Sequence, residues 1–274
     1  AASMELVHGA AVVHDDLIDD SPLRHGRPTV HRALRAAVRG RPRADAAARS
    51  LAMLVGDLLM ALAGQLFTTS GLPAAYLSRA RPLWAVMARE LVAGECLEIL
   101  RTGTDPDTTA SLKVIRYKTA KYTVEQPLLI GGALAGAGAR LREGYRAYGL
   151  PLGEAFQLRD DLLGLFGDPD VTGKANADDV HGHRPTALLA ETWRLAGDDE
   201  RERLRSLFGR RDRGGEGLRA VRELMLGLGA PARIEDMISA RVAEALDALH
   251  ELDVPSHATA ALTALAGSAA LRRS

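Results

Sequence analysis

The sequence predicts an all-α fold, a bundle of about ten helices around a central cavity, with no β-sheet. Alanine and leucine are abundant, and aromatic residues make up only 4% of the 274 residues. Alternating runs of β-branched residues, which are typical of strands, are scarce. Helix-like segments of roughly 11 to 30 residues, the usual range for globular and bundle helices, lie between short turn-forming clusters.

Clusters rich in glycine, proline and polar residues separate these segments. The clusters lie at residues 21–28, 40–43, 70–73, 102–106, 149–151, 167–173, 181–185, 209–217, 229–231 and 254–256. Long helices are therefore predicted at 44–69, 74–101 and 232–252. Such helices, joined by short loops, favour a bundle whose site lies between facing helices.

Length and charge limit the possible functions of the chain. We expect one domain over residues 1–274, because no linker or change in composition divides the sequence. The 35 basic and 35 acidic side chains balance, so bulk charge gives no support to nucleic-acid binding. Cys96 is the only cysteine, which favours a reducing compartment and a cytoplasmic location.

The sequence predicts neither a transmembrane segment nor a signal peptide. The apolar stretch 127–139 has 13 residues, whereas a membrane-spanning helix needs about 20. The first residues lack the basic region and cleavage site of a signal peptide. Residues 1–14 resemble the middle of a helix without a cap, so we expect that an upstream segment of the fold is missing.

Two aspartate clusters inside apolar, helix-like segments are the strongest functional signal. The first contains Asp15, Asp16 and Asp19, and the second contains Asp160 and Asp161. Carboxylates are rarely buried without a partner, and like charges four residues apart on a helix repel. Divalent cations prefer such oxygen ligands. The clusters therefore predict magnesium sites for a phosphate-rich substrate.

Basic residues follow both clusters. Arg24 and His25 come soon after the first, and Lys174 and Arg184 come after the second. Arginine binds phosphate through two parallel hydrogen bonds. Each group alone is more typical of a solvated helix end or a surface lysine, but together they indicate a diphosphate site. Lys118 lies in a third basic segment, which alone could be a solvated face.

These segments resemble the trans-isoprenyl diphosphate synthases, the polyprenyl synthetase family. The first aspartate cluster and its downstream Arg24 to His31 are similar to one motif of that family. The second cluster, with Phe156 to Arg159 before it and Arg184 to Thr186 after it, is similar to another. Lys118, Thr119 and Ala120 form a third. The order and spacing agree from residue 1 to about residue 195.

The resemblance implies a magnesium-dependent condensation of an allylic prenyl diphosphate with isopentenyl diphosphate, in a homodimer with an isoprenoid-synthase-type fold. It implies about three magnesium ions, cations that neutralise the leaving diphosphate, and polar groups beside the carbocation. The implied metal ligands are Asp15, Asp16, Asp19, Asp160 and Asp161; the diphosphate-binding residues are Arg24, His25, Lys118, Lys174 and Arg184; the catalytic residues beside the carbocation are Lys118, Thr119 and Gln157.

The chain departs from the family pattern in several places. His25 stands where the family usually has a second arginine that binds isopentenyl diphosphate, and histidine is a weaker phosphate partner. Gly164 replaces a third acid of the second motif, and Arg184 replaces a lysine. The upstream Gly-Gly-Lys and Arg-Pro elements of the family have no counterpart here.

The resemblance also predicts product length. The family limits its products with bulky residues one to two turns before the first motif, where this chain has Ala10 and Ala11. Two alanines predict a geranylgeranyl or longer product.

Two alternatives stay open. One is a terpene cyclase or prenyl diphosphate hydrolase that ionises a prenyl diphosphate without elongation, as His25 and the missing upstream elements would favour. The other is a non-catalytic partner subunit of an active synthase.

Overall fold

The all-α prediction is confirmed by the computed structural model, which describes residues 1–167, 182, 184–207 and 215–272. A π-helix (Arg116–Glu125) continues from α5 into α6. In chain order the other elements are α1 (Ala2–Ile18), β1 (Leu23–Arg24), β2 (Arg27–Pro28), α2 (Val30–Ala37), α3 (Ala44–Thr68), α4 (Ala74–Arg101), α5 (Thr108–Ile115), α6 (Gln126–Ala135), α7 (Ala139–Phe166), α8 (Ala187–Leu195), α9 (Asp198–Leu207), α10 (Glu216–Gly227), α11 (Ala230–His250) and α12 (Ser256–Leu271).

The three long helices predicted from the sequence have nearly the predicted bounds. The α3 helix ends one residue earlier, α4 matches at both ends, and α11 begins and ends two residues earlier. Glycines in left-handed conformations follow the ends of two helices, Gly71 after α3 and Gly229 after α10, directly before α11. Such residues end a helix readily because they have no Cβ to clash.

The prediction of no sheet is wrong at one short hairpin. Strands β1 and β2 pair in antiparallel fashion, with Leu23 opposite Pro28 and Arg24 opposite Arg27. The two residues of the turn have positive φ, 50° for His25 and 72° for Gly26. Two successive left-handed residues suit the tightest hairpin turns. Because this ladder spans only two residues per strand, it leaves no alternating pattern in the sequence.

The predicted break at 149–151 is also wrong, because α7 continues through Pro151. Its glycines allow close packing against the π-helix rather than a turn. A Cβ at Gly153 would lie 2.5 Å from the Cα of Ala120, and one at Gly149 would lie 2.9 Å from the Cα of Glu125. Tertiary packing therefore overrides the local preference of glycine and proline.

The chain divides into two compact units, one containing residues 1–77 and the other the described residues from 78 onward. We name them the N-terminal unit and the C-terminal unit. The expectation of a single domain stays a prediction.

In the N-terminal unit, α1 packs along α3. Ser3, Val7 and Ala10 are buried at the three- and four-residue spacing of one helical face. The Ser3 hydroxyl donates a hydrogen bond to the carbonyl of Ala63 at 2.8 Å, and His14 Nε2 lies 3.2 Å from the carbonyl oxygen of Met53. The Ser3 contact holds the start of α1 against α3, and the His14 contact holds α1 just before the aspartates.

The C-terminal unit has α7 at its core. Leu158, Leu162 and Leu165 of α7 pack with Ile234 and Ile238 of α11 in one buried cluster. This packing fixes the face of α7 that carries the second aspartate cluster, because side chains four residues apart on a helix share a face.

A buried carboxylate and a buried phenol also tie α7 to its neighbours. Glu154 accepts charge-assisted bonds at 2.8 Å from both Arg116 of the π-helix and Arg241 of α11. The Tyr148 hydroxyl donates to the carbonyl of Leu262 in α12 at 2.7 Å, and burial raises the pKa of Tyr148 to about 12. Side-chain contacts therefore hold α7 from Tyr148 to Leu165.

Among the described residues, α3 is the one helix long and apolar enough to cross a membrane. A single such helix is a weak indication of a membrane span. Five leucines along α3 (Leu51, Leu54, Leu58, Leu62 and Leu66) are exposed. They recur every three or four residues and so form one stripe, which we name the α3 leucine stripe.

Candidate active site

The first aspartate cluster lies at the C-terminal end of α1, and we name Asp15, Asp16 and Asp19 the first wall. Asp16 is buried, while Asp15 and Asp19 are half-buried. Asp19 caps the helix, and its backbone N–H donates to the carbonyl of Asp15 at 2.9 Å. Three carboxylates within about one helical turn are a suitable oxygen ligand set for a hard divalent cation.

Arg24 neutralises two carboxylates of the first wall. Its Nε and Nη2 donate to Asp16 Oδ1 at 2.8 and 2.7 Å, and Nη2 also donates to Asp15 Oδ2 at 3.0 Å. Burial alone would lower the pKa of Arg24, but the hydrogen bonds and negative charges of the two aspartates outweigh it and raise that pKa. The first wall therefore has an internal cation already.

The hairpin that carries Arg24 is tied back to α1. The Thr29 hydroxyl donates to the carbonyl of Ser21 at 2.7 Å. Asp20, the residue directly after Asp19, accepts bonds of 2.8 Å from both Arg32 and Arg49. Asp20 therefore serves as an anchor for α2 and α3, which separates it from the three acids of the first wall.

His25 lies at the tip of the same hairpin and is exposed. Within the described ranges of the chain, its ring makes no hydrogen bond. Its neighbour Arg24 turns inward to the first wall, whereas His25 points its ring toward solvent. The departure from the family pattern noted in the sequence therefore lies on an accessible turn.

The second cluster belongs to a hydrogen-bond chain in the C-terminal unit. The Thr119 hydroxyl donates to Gln157 Oε1 at 2.8 Å, and Gln157 Nε2 donates to Asp161 Oδ1 at 3.0 Å. Asp161 Oδ2 accepts a bond of 3.1 Å from the backbone N–H of Ala187, at the start of α8. The structure thus brings together three residues that the sequence predicted separately. We name Asp160 and Asp161 the second wall.

Asp160 has a partner that sequence reasoning missed. Arg272, just after α12, forms a close ion pair with Asp160, and its guanidinium carbon lies 4.3 Å from the ring centroid of Phe156. No motif in the sequence indicates chemistry at this end of the chain. The only signal was the pair of arginines at 272 and 273, which follow an uncharged helix.

Lys118 is held by two glutamates that the sequence analysis also missed. Its Nζ lies 3.0 Å from Glu95 Oε2 and forms a close ion pair with Glu98; both acids are on α4. Only 18% of the Lys118 side chain is exposed, so this residue is not part of a solvated basic face. The three-residue spacing of the two glutamates was the available signal, because such residues share a helix face.

The backbone at Lys118 explains how α4 approaches so closely. A Cβ at Gly94 would lie 2.3 Å from the backbone nitrogen of Lys118, so no other residue fits without a shift. Lys118 and Thr119 lie on the π-helix, a wide-turned form that is frequent at functional sites.

The remaining predicted residues differ in burial and in their surroundings. Arg184 is half-buried two residues before Thr186, which caps α8 by accepting a bond from the N–H of Leu189 at 3.2 Å. Lys174 lies outside the described residues. Ala10 is fully buried on the face of α1 that packs along α3, whereas Ala11 is half-buried.

Comparison with known proteins decides the family. A family model described as Polyprenyl synthetase matches residues 1–225. The chain belongs to the polyprenyl synthetase family. The resemblance inferred from the aspartate motifs is confirmed.

Relatives in this family differ in the product for which they are named. The chain is 36% identical over 197 residues to a (2E,6E)-farnesyl diphosphate synthase of Mycobacterium tuberculosis, covering 72% of this chain and 50% of that one. It is 33% identical to a geranylfarnesyl diphosphate synthase of Aeropyrum pernix, covering 73% and 60%. An octaprenyl diphosphate synthase of Escherichia coli is 29% identical, with 75% and 58% covered. The chain therefore spans about half to three fifths of the length of these relatives.

Solved structures of the family share the fold. A geranylgeranyl pyrophosphate synthase from Corynebacterium glutamicum, complexed with isoprenyl diphosphate and magnesium, has a TM-score of 0.95 and 35% identity, covering 99% of this chain and 78% of that one. A polyprenyl synthase from Caulobacter crescentus, complexed with calcium and isoprenyl diphosphate, has a TM-score of 0.84 and 30% identity, covering 100% and 77%. The isoprenoid-synthase-type fold is therefore confirmed.

Proposed function

We propose that the protein is a magnesium-dependent prenyltransferase that condenses an allylic prenyl diphosphate with isopentenyl diphosphate. The observation that carries this proposal is the chain from Thr119 through Gln157 to Asp161, in a member of the polyprenyl synthetase family. It connects a proposed metal ligand with the two polar groups proposed to lie beside the reacting carbon.

The two walls are the residues that would hold magnesium. Both offer carboxylate oxygens, the ligands this ion prefers, and in both an arginine already balances part of the negative charge. Bound magnesium would supply positive charge that stabilises the departing diphosphate. We propose three ions held by Asp15, Asp16, Asp19, Asp160 and Asp161.

Basic side chains bind the diphosphate oxygens. Arg24 has a planar guanidinium suited to paired bonds with phosphate, and Lys118 carries a compact ammonium. As the allylic carbon–oxygen bond breaks, its electron pair stays with the diphosphate, and these cations stabilise the added charge. Lys174 and Arg184 assist in the same role.

Thr119 and Gln157 act beside the cation that forms. Their oxygen atoms carry partial negative charge, and the hydrogen bond between them fixes both orientations. Fixed dipoles stabilise a developing charge without reorganisation. The double bond of isopentenyl diphosphate then forms the new carbon–carbon bond, and a proton leaves. Excluding water from this region protects the cation from quenching.

We propose a geranylgeranyl or longer product, because Ala10 and Ala11 place no bulk before the first wall. The proposed cytoplasmic location follows from the single cysteine. A homodimer is supported by the α3 leucine stripe, since an exposed apolar stripe of this length is typical of an interaction surface.

One observation favours a second candidate function. His25, which stands where the family usually has an isopentenyl-binding arginine, is exposed and makes no hydrogen bond within the described part of the chain. A site with a weak isopentenyl contact would ionise the allylic diphosphate without elongation, as a cyclase or hydrolase does.

An assay with labelled isopentenyl diphosphate separates the candidates. Purified protein is incubated with magnesium and farnesyl diphosphate, with and without the labelled substrate. Incorporation of label into a longer prenyl diphosphate supports elongation. Hydrocarbon or alcohol products without label support the second candidate. Turnover only after a second, different chain is added would indicate a partner subunit and contradict both. Restoring arginine with His25→Arg should raise incorporation if the weak contact limits elongation.

A further inference from the structure

The C-terminal end of α12 is fastened to α7 beside the second wall. Arg159 of α7 donates from Nε to the carbonyl of Ala270 at 2.8 Å. The remaining nitrogens of Arg159 bond both oxygens of Glu235 in α11, at 2.5 and 2.7 Å. Arg159 is only 16% exposed, so three bonds hold it in one orientation. The last turn of α12 is therefore held at a fixed place.

Arg272 leaves the helix from that fixed place. It follows α12 as its C-cap, with an extended ψ of 147°. Its guanidinium forms the close ion pair with Asp160 and lies over the face of Phe156, one turn earlier on α7. A cation over an aromatic face is attracted by the ring quadrupole. Two independent contacts thus direct Arg272 to the second wall.

The fit of Arg272 is incomplete. Its Nε is buried and has no hydrogen-bond partner among the residues that the structure describes. A buried donor without a partner costs free energy that a fully paired arginine would not lose. The pair with Asp160 is therefore weaker than a two-bond arginine–carboxylate pair, and a stronger ligand for Asp160 can displace it.

We propose that Arg272 is the counter-ion of Asp160 when no metal is bound. It is a positioning residue, which a divalent metal ion displaces when it binds to the second wall. This inference rests on the assignment of Asp160 as a metal ligand in the proposed function. A divalent cation carries twice the charge of the guanidinium and approaches carboxylate oxygens more closely. It therefore binds Asp160 more strongly than Arg272 does. Before that, Arg272 lowers the repulsion between the two adjacent carboxylates and holds Asp160 in place.

Displacement couples metal binding to the C-terminal end of the chain. By linkage, the factor by which Arg272 weakens metal binding equals the factor by which metal weakens the Arg272 contact. Removing the guanidinium should therefore strengthen metal binding in the absence of substrate. It should also loosen the end of α12 even without metal, because the Arg159 bond to Ala270 then holds that end without the help of Arg272.

Metal affinity tests this directly and needs no catalysis. Binding of Mn²⁺, which takes similar oxygen ligands to Mg²⁺, is measured by electron paramagnetic resonance on metal-depleted protein without diphosphate. Arg272→Ala should bind about 2- to 5-fold more tightly than the wild type, the range expected for a partly exposed ion pair. Arg272→Lys should lie between them. The difference should shrink in high salt, which screens the pair.

Two controls separate this inference from the proposed function. Arg203→Ala removes an exposed arginine from α9 and should leave Mn²⁺ affinity unchanged, which excludes an effect of net charge. Asp160→Asn should weaken binding. If it does so while Arg272→Ala binds no more tightly than the wild type, Arg272 is no counter-ion and the metal assignment survives. If Asp160→Asn binds normally, both the metal assignment and this inference are wrong.

Hydrogen exchange supplies a second readout that a merely structural arginine would not change. Adding magnesium to the wild type should speed amide exchange in the last turn of α12. In Arg272→Ala that turn should already exchange fast and should not respond to magnesium. An identical magnesium response in both proteins would overturn the proposal.

Discussion

In both the first and the second wall an arginine pairs with an aspartate, but the sequence separation between arginine and aspartate differs greatly. Arg24 is eight residues after Asp16 and reaches it through one hairpin, whereas Arg272 is 112 residues after Asp160. The first wall is thus a local structure of the N-terminal unit. The second depends on the tertiary packing of α7, α11 and α12 in the C-terminal unit.

The walls also differ in how their carboxylates are satisfied. Arg24 bridges Asp15 and Asp16, so one residue binds two acids of the first wall. In the second wall, Asp160 pairs with Arg272, while Asp161 accepts from Gln157 and Ala187. Under the proposed function, this difference gives the walls separate tasks. The first wall would be a compact cation site, and the second would link a metal ligand to the groups proposed to lie beside the reacting carbon.

The largest expected effect is on the first wall. Asp16→Asn removes a charge that binds Arg24 at two atoms, and it weakens both the metal ligand set and the orientation of Arg24. We expect kcat for label incorporation to fall by at least about 100-fold, the usual loss when a group that stabilises transition-state charge is removed. Steady-state kinetics checks this. Asp198→Asn, at an exposed acid of α9, is the matched control, and equal rates in both variants would contradict the assignment.

The next effect is expected on the hydrogen-bond chain of the second wall. Thr119→Val keeps the shape of the side chain but removes the bond to Gln157, which leaves an amide oxygen without its donor. We expect kcat to fall about 3- to 10-fold, in line with the net worth of one hydrogen bond, with Mn²⁺ affinity unchanged. Thr263→Val, at an exposed threonine of α12, should keep normal kcat. Loss of metal affinity in Thr119→Val would argue against this division of roles.

The close approach of α4 to Lys118 should appear as a loss of stability in the C-terminal unit. Gly94→Ala would place a Cβ 2.3 Å from the Lys118 backbone nitrogen. Overpacking of this kind typically costs about 1–3 kcal/mol, which urea denaturation measures. Gly64→Ala in α3 is the matched control, because nothing lies within 4 Å of its added Cβ. That change should be neutral or should stabilise by up to about 1 kcal/mol.

Product length tests the region before the first wall. Ala11 is half-buried, so Ala11→Phe can add bulk at lower cost than Ala10→Phe, which would enlarge a fully buried position facing α3. We expect shorter products from Ala11→Phe by chromatography, with the free energy of unfolding nearly unchanged. If the folded variant gave the same products as the wild type, the proposal that this region limits product length would be wrong.

The smallest expected effect is a pH dependence in the N-terminal unit. Burial, with the nearby charge of Arg32, lowers the pKa of His31 below its usual 6.5. Below that pH the unfolded state binds more protons at this residue than the folded state does, so stability falls as pH drops from 7 through the lowered pKa. In His31→Gln, the decrease in unfolding free energy over this range should be smaller. A slope equal to that of the wild type would exclude His31 as its source.

The sequence predicted the fold and the grouping of Arg24 with the aspartates of the first wall, because both depend on local patterns. The bounds of α4 follow from breakers at each end, and Asp15, Asp16 and Arg24 lie within ten residues of each other. The sequence did not predict that α7 is continuous. Gly149 and Gly153 allow close contact with the π-helix and do not form a turn.

The second wall was predictable only in part. Its two aspartates and Gln157 form a recognisable motif, but Arg272 reaches Asp160 through tertiary packing, just as Glu95 and Glu98 reach Lys118. An arginine near the end of a helix is not part of a sequence pattern from which its ion-pair partner could be predicted. Pairings across a hundred residues are set by how helices cross, which hydrophobic periodicity does not specify.

The most direct test of the central claim is incorporation of labelled isopentenyl diphosphate into farnesyl diphosphate as magnesium is raised from zero. If the condensation requires the metal that the walls are proposed to bind, incorporation should be absent in the presence of a chelator. It should rise as magnesium is added to the wild type, and either Asp16→Asn or Asp160→Asn should abolish most of that rise. Incorporation that persists under chelation, or release of diphosphate without any incorporation at every magnesium concentration, would contradict the account.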